Sequence, residues 1–413
     1  MVQRHHDDDP LARIRERMPV LCSLAATDEA IFEGVTIAVA SHLEPKTGVY
    51  VEALRDAGAT VLATPNNVDS THEDVVEHLD AQSGISVFGG EAETETALDR
   101  AQIDLLGRDP DLLLTDGGEL LVKCHADPEL SPTGLCGVAE QTTSGVSRAR
   151  AMATDDVLDV PVFAVNHTPM KHWFDNVHGT GESAVTNIAL STNTVLSGRT
   201  CVVAGYGYVG RGIATKLHDI GASTVVTEVD PRKALQADMD GHRVLPMDDA
   251  AAEGDLFITA TGNCHVIRER HFERMHDGVT LCNAGHRSVE IDIDSLDSLA
   301  SDVSDLEEGI TRYTLEDGRE IDLLADGELV NLAGPYSQGH PASVMDSTFA
   351  SMFVAARELV ESGETYGPGV HELPEQLDRE VAEHVLDARD IDIDSLTDLQ
   401  ETYLDAWQRE DVV

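Results

Sequence analysis

The chain has 413 residues, 41% of them hydrophobic, with 76 acidic against 28 basic side chains and a formal charge of −48. That balance excludes nucleic-acid and anionic-membrane partners, which need basic patches, and the dispersal of the acids along periodic apolar segments excludes a disordered acidic chain. What remains is a folded protein whose self-repulsion is screened by concentrated salt, a halophilic surface.

The length predicts two to three domains. No apolar run approaches the roughly 18 residues of a membrane span, and the opening MVQRHHDDDP is polar, so a soluble, cytoplasmic protein is expected. Cys22, Cys124, Cys136, Cys201, Cys264 and Cys282 form no CxxC pair. They are expected as free thiols, most of them buried, with no disulfide framework and no metal site.

In chain order, apolar β-rich runs alternate with amphipathic helical stretches, which predicts an α/β fold with parallel sheets. Residues 35–40 (VTIAVA), 60–63, 85–88, 112–114 and 161–165 read as strands, and residues 52–58 read as the end of a helix with Gly58 as its cap. A second series begins at Gly198, with strands at 200–204, 224–227, 256–260 and 279–283 and a helix at 211–220. Residues 309–324 predict a hairpin turning at Asp317-Gly318. A helix spans 342–361, and the acidic tail, 377–407, has a helical pattern.

The strand TCVVA runs directly into Gly205-Tyr-Gly207-Tyr208-Val209-Gly210, with a helix opening behind it. Gly205 permits the tight turn, Gly207 lets the backbone approach a pyrophosphate, and Gly210 allows close packing of helix on strand. A lone GxGxxG is weak. Here a second strand follows and ends at Glu228, placed where an acid grips the ribose hydroxyls of a dinucleotide and repels a 2′-phosphate. NAD is therefore expected over NADP, with Thr261, Gly262 and Asn263 beside the same cofactor at the end of a further strand. The nucleotide fold starts near residue 185, so a large first domain must carry most of the substrate site.

Several stretches then fall in one order: His42-x-Glu44-x-Lys46-Thr47, Asp116-Gly-Gly, Thr142-Thr143-Ser144-Gly145, Asn166 with Lys171, and Phe174-Asp175-Asn176. After the glycine loop come Thr227-Glu228, Asn283-Ala284-Gly285-His286, Val330-Asn331-Leu332 and Gly339-His340-Pro341. From about residue 11 to residue 407 the chain resembles the S-adenosylhomocysteine hydrolase family. The resemblance implies two Rossmann-like, doubly wound parallel-sheet domains plus a short helical C-terminal tail. Residues 1–184 and 335–379 would form the substrate domain, 185–334 the NAD domain and 380–413 the tail. It also implies one tightly bound NAD per subunit, a small-molecule substrate and a homotetramer.

Family chemistry oxidises the ribose 3′-hydroxyl, eliminates homocysteine from C5′, adds water and returns the hydride. By resemblance, Lys171 and Asp175 sit at the ribose hydroxyls, while His42, Asp116 and His286 handle protons at C4′ and C5′. Glu44, Lys46, Gln141 and His340 would contact the substrate, His340 at the base. Thr142, Thr143, Ser144, Asn176 and Asn331 would meet the nicotinamide half of NAD. Lys233, Ala284 and Gly285 complete the cofactor set.

Taken singly, each residue has a plainer reading: His42 as a helix cap, Lys171 and Asp175 as a helix-face ion pair, Asp116 as a turn residue. The chain also departs from the family pattern. Gln141 replaces a glutamate and cannot take a proton, Ser288 replaces an acid, the spacing from Asn331 to His340 is longer, and the Lys-plus-Tyr tail is absent. Lys46, a donor only, could favour a carbonyl on the base, as in an inosine-type nucleoside. The alternative reading is a non-catalytic relative that binds NAD and a nucleoside; an ordinary dehydrogenase that releases its reduced cofactor is disfavoured by the first-domain motifs.

Overall fold

The computed structural model describes residues 9–68, 70–127, 129–285 and 288–409. Its strands are β1 (Thr36–Ser41), β2 (Thr60–Pro65), β3 (Ile85–Val87), β4 (Leu112–Thr115), β5 (Gly137–Glu140) and β6 (Pro161–Ala164), then β7 (Thr200–Ala204), β8 (Ser223–Thr227), β9 (Arg243–Val244), β10 (Leu256–Thr259), β11 (Val279–Asn283), β12 (Ala300–Glu307), β13 (Ile310–Leu315), β14 (Glu320–Leu324) and β15 (Gly369–His371).

The first sheet has seven strands in the order β15-β6-β5-β4-β1-β2-β3, all parallel. The second has eight, in the order β12-β13-β14-β11-β10-β7-β8-β9, parallel except for the β12–β13–β14 meander at one edge. Each order reverses once, at β1/β4 and at β7/β10, and a doubly wound sheet opens its ligand crevice at such a point. The central strands are buried, apart from the first residues of β1 and β7, because helices cover both faces. The last long helix, Ala342–Ser362, returns to the first sheet and stacks Phe349 on Tyr50 with ring centroids 4.4 Å apart.

The expected strands stand within two residues of their reading, and the hairpin turns where Asp317-Gly318 predicts. β5 (GVAE), β9 (RV) and β15 (GVH) escaped the sequence because none carries more than two apolar residues. β12 escaped because it is an almost wholly exposed edge strand with no apolar face. The tail is not one helix. Glu375–Ala388 packs Val381 against the long helix, and Arg357 bonds both Asp28 and Glu380. The chain then breaks at Asp390, whose φ of 54° no helix continues, and resumes only at Asp398–Asp405. All six cysteines are free, but only Cys124, Cys201 and Cys282 are buried; Cys136 and Cys264 lie in exposed loops. Among the described residues no helix is long and apolar enough to cross a membrane.

Candidate active site

The strand ends of both sheets open into one cavity of about 1740 Å³. It gathers every described candidate residue except Gly210, which instead lies beneath the loop: a Cβ there would stand 2.0 Å from the Gly205 carbonyl oxygen. His286 lies outside the described residues.

On the first sheet, the turn after β4 holds Asp116, whose carboxylate accepts a hydrogen bond from the Gln141 amide at 2.8 Å. His42, after β1, bonds Ser70 through Nδ1 and brings Nε2 to 3.9 Å from Asp116. It does not cap the next helix, a role filled by Glu44. Glu140, at the end of β5, lies wholly buried under this turn and accepts from the Thr115 hydroxyl (2.6 Å), the Gly117 N–H (3.1 Å), and the N–H (2.8 Å) and hydroxyl (2.5 Å) of Thr142. Burial pushes its carboxyl up to about 7, against the hydroxyl donors of Thr115 and Thr142. Thr142 in turn caps the helix Thr143–Thr154, and Asn166 donates to the Thr143 hydroxyl at 2.8 Å.

A nine-residue π-helix, His172–Thr180, supplies the next group. Its wider turn faces Asp175, Asn176 and Thr180 inward together. Lys171 Nζ donates to Asp175 at 2.6 Å and to Asn176 at 2.9 Å. Thr348 donates to the other Asp175 oxygen at 2.7 Å, His340 Nδ1 lies 3.3 Å from that oxygen, and Thr180 bonds His340 Nε2 at 2.9 Å. With Asp175 1% and Lys171 8% exposed, this is a desolvated pair and not a solvated helix-face bridge. Burial alone would raise the Asp175 carboxyl, but Lys171 and His340 hold it well below the usual carboxylate range. Lys46 is also engaged, 2.7 Å from Glu44 and donating to the Gln338 carbonyl at 2.8 Å.

On the second sheet, Gly205 turns the chain at a φ of +93°, and a Cβ on Gly207 would project into open space. The free N–H groups of the helix Tyr208–Asp219 open behind them, as a diphosphate requires. Glu228 is held by backbone donors from Tyr206 (2.7 Å), Val229 (2.6 Å) and Asp230 (3.0 Å). Asn331 lines the cavity, and its buried Oδ1 has no hydrogen-bond partner among the described residues, leaving an acceptor free for an amide donor. These residues fit NAD. Sequence reasoning missed Ser70, Thr180, Thr348, Glu140 and Glu290, whose carboxylate accepts from Thr261; only Glu140, next to Gln141 and the threonine run, carried a usable signal.

A dinucleotide cradle and a buried lysine–carboxylate pair facing one cavity define an NAD-dependent two-domain enzyme. Residues 11–133 match the family model described as S-adenosyl-L-homocysteine hydrolase, and residues 176–336 match that of its NAD binding domain. The adenosylhomocysteinase of Halobacterium salinarum is 48% identical over 396 residues, covering 95% of this chain and 92% of the relative. The S-inosyl-L-homocysteine hydrolase of Methanothermobacter thermautotrophicus is 42% identical over 398 residues, covering 96% and 94%. The chain belongs to the S-adenosyl-L-homocysteine hydrolase family.

Proposed function

We propose that this protein is the NAD-dependent hydrolase that converts S-adenosyl-L-homocysteine reversibly to adenosine and L-homocysteine. The observation that carries this reading is the desolvated Lys171–Asp175 pair in one cavity with the NAD cradle. Bound NAD would supply an acceptor for the ribose 3′-hydride, and its reduced form the hydride returned at the end of the cycle. The cradle would hold the cofactor through Gly205, Gly207, Tyr208, Val209, Glu228, Lys233, Thr261, Gly262, Asn263 and Ala284. Thr142, Thr143, Ser144, Asn176 and Asn331 would close on its nicotinamide end.

Lys171 then stands at the 3′-hydroxyl. Asp175, kept ionised, holds the ammonium in place, and that positive charge eases loss of the hydroxyl proton by stabilising the oxyanion left behind. Asp116 is aimed by Gln141, and with His42 beside it forms an acid–base pair able to move a proton at C4′ and C5′. Gln141 needs no proton of its own in this arrangement: its amide orients the neighbouring carboxylate. That bears on one of the two departures, Gln141 and Ser288, on which the alternative of a non-catalytic relative rests.

For base recognition a second reading has its own observation. Lys46 meets the cavity as a fixed ammonium already shared with Glu44 and the Gln338 carbonyl, a donor that favours a carbonyl on the base. Its chemistry suits an inosine-type substrate as well as an adenosine-type one. The domain division expected from the resemblance and assembly as a cytoplasmic homotetramer belong to the same reading. In support of assembly, Ile393, Leu399, Leu404 and Trp407 stand exposed along the terminal arm, apolar side chains that a partner chain would cover.

The test is thiol release from S-adenosyl- and S-inosyl-L-homocysteine by purified protein in molar KCl. Release from neither substrate, with NAD bound, would overturn the hydrolase reading in favour of a binding protein. Faster turnover of the inosyl compound would select the second base preference.

A further inference from the structure

The loop beyond β10 rests on a carboxylate that belongs to none of the motifs above. Glu290 closes the short turn Ser288–Glu290 and is 1% exposed. Both of its oxygens are taken by that loop: one accepts the Thr261 N–H at 2.9 Å and the Thr261 hydroxyl at 2.6 Å, the other the Gly262 N–H at 2.7 Å. Backbone pairing runs beside it, from His265 N to Val289 O at 2.8 Å and from Val266 N to Glu290 O at 2.7 Å. Gly285 is shaped around the same group, since a Cβ there would lie 1.7 Å from a Glu290 oxygen. Its bare Cα is explained by the carboxylate beneath it, without appeal to a ligand.

The sheet order says which part of the cofactor this concerns. Glu228, at the end of β8, marks the adenosine side, and β10 and β11 lie on the opposite side of β7. A dinucleotide laid across these strand ends puts its nicotinamide half over the β10 and β11 loops. We propose that Glu290 is a positioning residue that sets the Thr261–Asn263 loop against the nicotinamide half of NAD, and that position 285 is glycine in order to admit it. Without the carboxylate, the N–H groups of the exposed residues 261 and 262 exchange a fixed buried acceptor for water, and the loop loses the anchor that sets its position. This deepens the cofactor reading and rests on it.

The experiment is titration calorimetry on apo protein in molar KCl with two ligands, NAD and ADP-ribose, which lacks the nicotinamide. Glu290→Gln, which turns an N–H against the loop's donors while keeping the volume, should weaken NAD by about tenfold or more and ADP-ribose by less than about threefold. Gly285→Ala should give the same pattern. Gly285→Ala combined with Glu290→Ala should bind NAD no worse than Glu290→Ala alone, because the added methyl then has room. Equal losses for both ligands, no loss for NAD, or additive effects of the two substitutions would overturn the proposal. Where an alanine variant does not fold, the Glu290→Gln ligand ratio decides. Wild-type protein that binds neither ligand would instead overturn the cofactor reading itself.

Discussion

The two domains support their ligand-facing loops in the same way and then use them for opposite purposes. Glu140 lies under the β4 and β5 loops and Glu290 under the β10 and β11 loops, each buried and bonded to a threonine and to glycine N–H groups. Each also faces a glycine that must lack a side chain. A Cβ on Gly145 would fall 2.2 Å from the Glu140 carboxyl carbon, as one on Gly285 would strike Glu290. Above the first carboxylate stand groups that can move protons: Asp116, His42 and, across the cavity, Lys171. Above the second stand backbone amides and small residues, which can hold a cofactor and change nothing. The lesson is that a buried acid at a strand end builds a rigid loop, and what that loop can do depends on the side chains mounted on it.

Four tests break or sharpen that contrast. The largest effect should erase it. With a net charge of −48, self-repulsion acts on both domains, so below roughly 0.1 M salt, where the screening length exceeds about 10 Å, the compact state should be lost. The Tm should climb steeply with KCl, and a flat profile up to molar salt would refute the halophilic surface.

Lys171→Ala should divide the domains. Reduction of bound NAD by adenosine, seen as a transient nicotinamide absorbance, should fall by at least about a thousandfold, or about 4 kcal/mol of barrier. NAD affinity should fall by less than about tenfold, since most of the cradle is on the other sheet and Lys171 touches the nicotinamide contacts only through Asn176. Breaking the buried pair should also lower stability by about 3–5 kcal/mol. Retained reduction would remove Lys171 from the chemistry.

Glu140 offers a pH signature. Its carboxyl titrates near 7 in the fold against an ordinary 4.5, so the native state holds that proton more tightly. The resulting stability is full below pH 4.5 and is lost as pH rises through 7, on the order of 3 kcal/mol. Glu140→Gln should flatten the fall in Tm between pH 5 and 8. An unchanged slope would mean the carboxylate stays ionised on its donors. Asp175 contributes in the opposite sense: its depressed pKa keeps the pair with Lys171 intact across this whole range, its stability disappearing only in strong acid.

The smallest effect concerns Gln141. A glutamate there would stand about as close to Asp116 as the amide does now, 2.8 Å, and two carboxylates so placed share a proton. Gln141→Glu should therefore cost up to about tenfold in turnover at neutral pH, about 1.4 kcal/mol, and add a new limb to the pH profile. A clear gain in turnover would show that Gln141 replaces a carboxylate the chemistry needs.

Much was readable from the residues alone. Strand, glycine loop, helix, second strand and Glu228 are consecutive in the chain, so the cofactor domain and its preference for NAD are written in local order. The first-domain motifs, taken together, pointed to the family. What sequence could not show was which polar groups meet. Lys171 and Asp175 are four residues apart, a spacing that reads as a surface bridge on an ordinary helix, and only the π-helical turn with the return of Thr348 and His340 from the far end of the chain makes them a desolvated cluster. Gln141 looked like a defect until its amide was found on Asp116. Glu290, 29 residues from Thr261, had no signature at all. Local order sets the elements, because backbone propensity and periodicity act over a few residues. The burial that creates an ion pair, a fixed carboxylate or an enforced glycine depends on elements far apart in the chain, and exists only once they have packed.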